Sequence, residues 1–184
     1  GVSRWLTACR LIDNLTENGT YTGIDIEDHR SETVIKFMKG KKVKFIFGDS
    51  LIELAKLPKM SSDFIFLDGD HRYNYVKNEF KLSQKLLTHN GIICIHDYYS
   101  SGVKSWVDYI SQFNRYQVLT FNTSENRGLA LIKRLRKNNK MIFWYNFISK
   151  KLLHFGLKIK NSICHLATIF LCHIKKSKYI YWMD

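Results

Sequence analysis

The segment Phe64-Ile-Phe-Leu-Asp-Gly-Asp-His71 is a short apolar run that ends abruptly in acidic and imidazole side chains. About a helix's length further on, Gly91-Ile-Ile-Cys-Ile-His-Asp97 has the same character. Short apolar runs rich in β-branched and aromatic residues are typical of buried parallel strands. Because open α/β sheets bind ligands at the carboxyl ends of their strands, these two strand ends together predict a polar pocket.

The rest of the chain supplies the other elements of such a sheet. Strand-like runs cover residues 21–26 and 43–48, and segments with helical spacing separate the strands. This alternation predicts a Rossmann-like, mostly parallel α/β sheet with helices on both faces. Two closing strands, at 117–121 and 128–132, are too near each other for a crossover helix, so we expect a C-terminal antiparallel hairpin.

Charge divides the chain into two parts. Residues 1–125 carry 16 Lys/Arg and 15 Asp/Glu, whereas residues 126–184 carry 13 and 1. We therefore expect an α/β domain over residues 1–134 and a basic, aromatic-rich helical extension over residues 135–184. The four cysteines have no regular spacing and no signal sequence is visible, which favours a cytoplasmic protein.

In this order and spacing, the strand-end motifs resemble class I S-adenosylmethionine-dependent methyltransferases, particularly the branch that acts on small molecules and sugars. The matching motifs are Tyr21-Thr-Gly-Ile-Asp25, Gly48-Asp-Ser50, Phe66-Leu-Asp-Gly-Asp-His71 and Gly91-Ile-Ile-Cys-Ile-His-Asp97. The resemblance covers roughly residues 1–134. It implies S-adenosylmethionine as the cofactor and a hydroxyl of a small molecule or glycan as the methyl acceptor.

The first two motifs form the predicted cofactor side. Asp25 ends a strand, where a carboxylate can accept hydrogen bonds from both ribose hydroxyls; a loop or capping role is the alternative. The resemblance implies that Asp49 accepts the amino group of adenine, although Ser50 and Glu53 also have capping-box spacing. The predicted cofactor-binding residues are Gly1, Ser3, Asp25, Ile26, Asp49, Ser50 and Asp68.

The other two motifs form the predicted acceptor side. In metal-dependent relatives, acidic residues at the positions of Asp68 and Asp97 hold a divalent cation. His96 departs from that pattern, because imidazole suits manganese better than magnesium. The predicted metal ligands are Asp68, His96 and Asp97, for Mg²⁺ or Mn²⁺.

Two other interpretations of these residues stay open. His71 or His96 can act as a general base, because histidine exchanges protons near neutral pH. Alternatively, the histidines only orient loops. The predicted catalytic residues are His71, His96 and Asp97.

The resemblance also implies that a first strand and a glycine-rich turn precede this sequence, with Gly1-Val-Ser3 as the end of the turn. We therefore expect an N-terminally truncated chain that binds cofactor poorly. Marginal folding is also expected, because the partners of a central strand would be left unpaired.

The extension suggests docking. Its charge-free run, residues 161–174, is shorter than the ~20 residues that a membrane span needs. Aromatics alternate with lysines, as around Tyr179, Tyr181 and Trp182, which predicts an interfacial helix on an anionic membrane surface or a protein partner. Nucleic acid ranks below these partners because no nucleic-acid module is recognisable. The expected location is cytoplasmic, with peripheral membrane association.

Two competing functions remain. One is a degenerate, non-catalytic methyltransferase-like domain that docks through its basic extension. The other is a nucleotide-sugar glycosyltransferase, since Asp68-Gly-Asp70 at a strand end can also ligate a metal for a diphosphate.

Overall fold

The computed structural model describes residues 6–123, 127–135 and 178–183. The helices are α1 (Leu6–Asp13), α2 (Glu32–Met38), α3 (Ser50–Lys56), α4 (Tyr73–Leu86) and α5 (Ser101–Ser111). The strands are β1 (Thr20–Asp25), β2 (Val43–Phe47), β3 (Ser62–Asp68), β4 (Leu87–His96), β5 (Tyr116–Phe121), β6 (Leu129–Arg134) and β7 (Lys178–Met183). In the described part of the chain, no helix is long and apolar enough to cross a membrane.

The strands form one sheet in the order β2-β1-β7-β3-β4-β6-β5. The pairs from β2 through to β4 are parallel, whereas β6 is antiparallel to both β4 and β5. This confirms the predicted Rossmann-like sheet and its C-terminal hairpin. The parallel strands bring their carboxyl ends to one edge of the sheet, where the candidate site lies.

Successive side chains of β3 enter different cores on the two faces of the sheet. Phe64 and Phe66 belong to a cluster with residues of α1 and α2, whereas Ile65 and Leu67 pack with residues of α3, α4 and α5. Because a strand points alternate side chains to opposite faces, a strand covered on both faces must be apolar throughout. This explains the uninterrupted run that ends at Asp68.

The strand β7 lies between β1 and β3. Two sequence predictions are wrong there: the helical extension at residues 178–183, and the unpaired partners of a central strand. Residues 178–183 form a strand instead of part of a helical extension, and β1 and β3 are paired with it along their facing edges. Two parallel strands present rows of unpaired backbone groups, which a third strand satisfies. The segment Tyr179-Ile-Tyr-Trp182 has the aromatic and β-branched composition that strands prefer. The rest of the predicted extension, residues 136–177, lies outside the described residues.

Candidate functional site

Four strands end side by side at the carboxyl edge of the sheet. Met183 of β7 pairs with Asp25 on one side and with Asp68 on the other. Asp25 and Asp68 are therefore two strand spacings apart, roughly 10 Å. His96 ends β4 next to Asp68, because the preceding residues, Leu67 and Ile95, are paired. The residues predicted for the cofactor side and those predicted for the methyl-acceptor side thus lie at one edge of the sheet. Gly1 and Ser3, which are also predicted to bind the cofactor, lie outside the described residues.

Asp25 is a buried carboxylate at the end of β1. Only 3% of the residue is exposed, and burial raises its pKa above the usual value despite backbone hydrogen bonds that lower it. One of these is from the Glu27 N–H to Oδ1, at 3.4 Å. The next residue, Ile26, is 61% exposed. A recessed acceptor beside an open apolar side chain fits a nucleoside, whose ribose is polar and whose base is flat and apolar.

Asp49 lies beside Asp25, because the Gly48 N–H donates to the Asp25 carbonyl oxygen at 2.8 Å. Asp49 is the N-cap of α3, and its Oδ1 accepts from the Leu51 N–H at 2.7 Å. The capping-box interpretation of Ser50 and Glu53 is therefore wrong. Ser50 is fully buried, and its hydroxyl donates to Glu79 on α4 instead of capping a helix.

His96 lies against two carboxylates. Its Nδ1 is 2.8 Å from Oδ1 of Asp68 and 3.3 Å from Oδ1 of Asp97. Neither contact has the angle of a good hydrogen bond, and Nδ1 is buried without another partner among the described residues. The attraction is therefore mainly electrostatic. Burial of the ring lowers the pKa of His96, but the two carboxylates outweigh it and hold that pKa above its usual value.

Asp97 bridges the two histidines. Its Oδ2 is 3.2 Å from Nε2 of His71, while Oδ1 faces His96. Asp97 has a φ of 50°, in the left-handed region that few residues other than glycine adopt. The turn is held by the Ser100 N–H, which donates to the Asp97 carbonyl oxygen at 2.8 Å. Strained backbone of this kind is found mostly where side-chain placement matters for function.

Asp68, His71 and Asp97 are arranged so that a metal ion could lie between them. One ligand atom from each lies within 4.8 Å of the others. Two carboxylate oxygens and one imidazole nitrogen suit Mn²⁺ better than Mg²⁺. His71, which the sequence indicated only as a base, thus joins the predicted ligands Asp68 and Asp97.

An open depression of about 590 Å³ borders His71. Its other lining residues come from the loop before α4 and from the start of α5: Asp70, Arg72, Tyr73, Ser101, Gly102 and Ser105. A second cavity, of about 450 Å³, lies at the amino ends of the strands and includes Leu87, Gly91 and Arg134. That cavity is at the far edge of the sheet from His71 and His96.

Two residues near the site escaped the sequence interpretation. Tyr75 and Glu79 lie one turn apart on α4 and contact the Asp49–Ser50 segment. The signal in the sequence is weak: an acidic residue, Glu79, stands next to Phe80 on the buried side of an amphipathic helix.

Comparison with known proteins agrees with this geometry. The profile of a family described as "Methyltransferase domain" matches residues 1–98. Among curated proteins, none matches the chain.

Several solved structures have a similar fold. A protein from Corynebacterium glutamicum is 12% identical, with a TM-score of 0.56 and coverage of 72% of this chain and 82% of its own. A methyltransferase from Geobacter sulfurreducens is 14% identical, with a TM-score of 0.52 and coverage of 73% and 78%. An rRNA methylase from Streptococcus thermophilus is 8% identical, with a TM-score of 0.52 and coverage of 69% and 93%. At such identities the likeness shows the fold alone.

Proposed function

Since the chain belongs to the methyltransferase domain family, we propose that it transfers a methyl group from S-adenosylmethionine to a hydroxyl of a small molecule or glycan. The observation that carries the choice of a hydroxyl is the carboxylate of Asp97 between His71 and His96. A hydroxyl oxygen must lose its proton as it forms the new bond, and an imidazole held by a carboxylate is suited to take it.

The cofactor side supplies binding and orientation. S-adenosylmethionine, when bound, supplies an electrophilic methyl group on a positively charged sulfur. Asp25 accepts from the ribose hydroxyls, Ile26 covers one face of the base, and Asp49 accepts from its amino group. Because methyl transfer needs in-line placement of two reactants, most of the rate enhancement in this proposal comes from holding them together.

His71 is the proposed base. Oδ2 of Asp97 lies 3.2 Å from Nε2 of its ring, and this attraction favours the tautomer with the proton on Nε2, which leaves Nδ1 to accept from the substrate. The ring borders the open depression, which gives an acceptor hydroxyl access to it. As the substrate oxygen forms its bond to carbon, its proton passes to Nδ1 of His71.

His96 has a different role in this proposal. Its contacts with Asp68 and Asp97 raise its pKa, which favours the protonated ring more than in a free histidine. As a cation it compensates the charges of Asp68 and Asp97, which otherwise repel each other. It therefore keeps Asp97 in position for His71.

The convergence of Asp68, His71 and Asp97 supports a second version of the same reaction. A divalent cation such as Mn²⁺ at these residues would bind the acceptor hydroxyl and make its proton easier to lose. His71 would then be a ligand and no longer free to act as the base. Loss of activity in EDTA, with recovery in Mn²⁺, would select this version.

The function is tested by two measurements on the full chain. Calorimetry with S-adenosylhomocysteine measures cofactor binding, and transfer of a tritiated methyl group to fractionated glycans and small molecules measures activity. His71→Gln should lower transfer by about 100-fold or more, with unchanged affinity for S-adenosylhomocysteine. His89→Gln, an exposed histidine at the far edge of the sheet, is the control. Since weak cofactor binding is expected from the sequence, the calorimetry uses high ligand concentrations. No binding by the wild-type chain under those conditions, or full activity in His71→Gln, would contradict the proposal.

Docking through the predicted basic extension, residues 135–184, remains a separate prediction, although residues 178–183 of it form β7. Their excess of lysine and arginine favours an anionic membrane surface or an acidic protein partner. Sedimentation with anionic vesicles at two salt concentrations tests the lipid version. The lipid version is ruled out if no salt-sensitive binding appears.

A further inference from the structure

Two residues of α4 make hydrogen bonds with the start of α3, where Asp49 lies. The Tyr75 hydroxyl donates to Oδ1 of Asp49 at 3.1 Å and lies 3.2 Å from the hydroxyl oxygen of Ser50. The Ser50 hydroxyl donates to Oε1 of Glu79 at 2.5 Å. Hydrogen bonds therefore connect an exposed carboxylate, Asp49, to a buried one, Glu79, through two hydroxyl groups.

Burial makes this network rigid. Ser50 is 0% exposed and Glu79 is 1% exposed, and a buried carboxylate is costly unless hydrogen bonds satisfy it. Ser50 is therefore held to Glu79 and spends its one proton there, so its oxygen can only accept. The single proton of the Tyr75 hydroxyl then faces both Ser50 Oγ and Asp49 Oδ1, and both acceptors hold the phenol. Burial raises the pKa of Tyr75 to about 12, so its hydroxyl keeps its proton and remains a donor at neutral pH.

The network determines which oxygen of Asp49 is free for a ligand. Oδ1 accepts from both the Leu51 N–H and the Tyr75 hydroxyl. Within the described residues, no hydrogen bond reaches Oδ2. With Oδ1 held by two donors, the carboxylate is held in one orientation and keeps Oδ2 as an acceptor, on an exposed residue next to the end of β1.

We propose that Tyr75, held by Ser50 and Glu79, is a positioning residue that orients Asp49 to select a base with a 6-amino group over one with a 6-keto group. The inference rests on the proposed function, because it takes the nucleoside of S-adenosylmethionine as the ligand. An amino group donates to Oδ2, whereas a keto oxygen faces it with a second acceptor and is repelled. Free rotation of the Asp49 side chain would weaken the hydrogen bond from the amino group and relieve the repulsion of the keto oxygen.

The test compares two ligands that differ only at that position, S-adenosylhomocysteine and S-inosylhomocysteine, by calorimetry on the full chain. Tyr75→Phe should bind S-adenosylhomocysteine about tenfold more weakly, and it should bind the inosine analogue at least as tightly as the wild type does. Asp49→Asn keeps a good N-cap, but its amide can donate to a keto oxygen, so the preference should move toward the inosine analogue. In the Asp49→Ala background, Tyr75→Phe should have no further effect, because the group that it positions is gone.

Tyr116→Phe is the matched control. It removes a tyrosine hydroxyl that also has a structural hydrogen bond, from Gln84 at 2.6 Å, at the opposite edge of the sheet. Its preference for the adenine ligand should equal that of the wild type. If Tyr75→Phe fails to fold, Ser50→Ala releases the same phenol and should also reduce the preference.

The outcomes separate this inference from the proposed function. If the wild-type chain binds neither ligand, the proposed function fails and the inference fails with it. If the wild type prefers S-adenosylhomocysteine and Tyr75→Phe keeps the same preference, only the inference is overturned. An equal loss of preference in Tyr116→Phe would also overturn it, since the effect would then be global.

Discussion

Nδ1 of His96 lies 2.8 Å from Oδ1 of Asp68, across the ends of two neighbouring parallel strands. The register of β3 and β4 brings the two side chains together, because Leu67 and Ile95 are paired immediately before them. The same nitrogen of His96 also lies 3.3 Å from Oδ1 of Asp97, so the ring contacts two carboxylates. Stability and activity should therefore both depend on the protonation of His96.

The pH dependence of stability provides a first prediction. The pKa of His96 is raised in the folded protein, so its stabilising contribution is full below the unfolded value, ~6.5. That contribution is lost as the pH rises through the folded value. The difference in unfolding free energy between wild type and His96→Asn should thus be largest below about pH 6 and shrink above it. Urea unfolding from pH 5.5 to pH 8.5 measures it, and a constant difference would contradict the prediction. His89→Asn is the exposed control.

The ionised carboxylate of Asp25 should lower the free energy of unfolding and strengthen cofactor binding. Its pKa is raised by burial, so the ionised form is disfavoured in the folded state and the cost appears as the pH rises above the unfolded value, ~3.9. Asp25→Asn should raise the free energy of unfolding at pH 7 but not near pH 3.5. The same substitution should also weaken the binding of S-adenosylhomocysteine about ten- to a hundredfold, because charged acceptors make stronger hydrogen bonds. Denaturation and calorimetry test the two effects.

The control for this prediction is Asp13→Asn, which removes an exposed carboxylate that is paired with Lys41. It should leave affinity for S-adenosylhomocysteine unchanged. If Asp25→Asn is less stable than the wild type at pH 7, the hydrogen bonds of the ionised carboxylate outweigh the cost of its burial, and the prediction is wrong.

Gly102 allows α5 to lie close to the loop that contains His71. A Cβ at this position would overlap the carbonyl oxygen of His71 and lie 2.6 Å from the backbone nitrogen of Tyr73. Backbone must therefore move in Gly102→Ala, which we expect to cost about 1–3 kcal/mol and to lower methyl transfer by displacing His71. Ser105→Ala, at an exposed position of the same helix, is the control for stability. Wild-type stability in Gly102→Ala, measured by chemical denaturation, would contradict the close approach.

The position of β7 in the sheet makes it sensitive to proline. Ile180 pairs with Thr22 on one side and with Ile65 on the other, so proline there removes a ladder hydrogen bond from a central strand. Ile180→Pro should lower stability by about 3 kcal/mol or more, whereas Ile180→Val should have a small effect. Thermal unfolding of both variants is the measurement. Equal midpoints would show that residues 178–183 do not form this strand in solution.

Local signals predicted most of the elements close to their observed limits. The predicted helix at 31–38 begins after the N-cap Ser31, whose hydroxyl accepts from the Val34 N–H. The predicted strand ending at Asp68 and the hairpin after Phe121 also agree with the structure. These signals are contained within one segment each, so a single sequence can show them.

The errors have long-range causes. Ser50 and Glu53 have the spacing of a capping box, but Ser50 is bonded to Glu79, 29 residues away. The strand β7 was missed because it forms by pairing with β1 and β3, which are far from it in the sequence. The closeness of His71 to Asp68 and Asp97 could not be predicted either, because it depends on how the loop before α4 meets the end of β4.

The sequence by itself determined the alternation of strands and helices and the chemistry at the strand ends, because apolar periodicity and residue type are local properties. It placed Asp25, Asp68 and Asp97 at the correct edge of the sheet. Only the tertiary structure decided which groups touch: Asp97 with both histidines, Tyr75 with Asp49, and β7 with two strands far from it in sequence. Those contacts depend on strand order, register and helix packing, which arise from the whole chain.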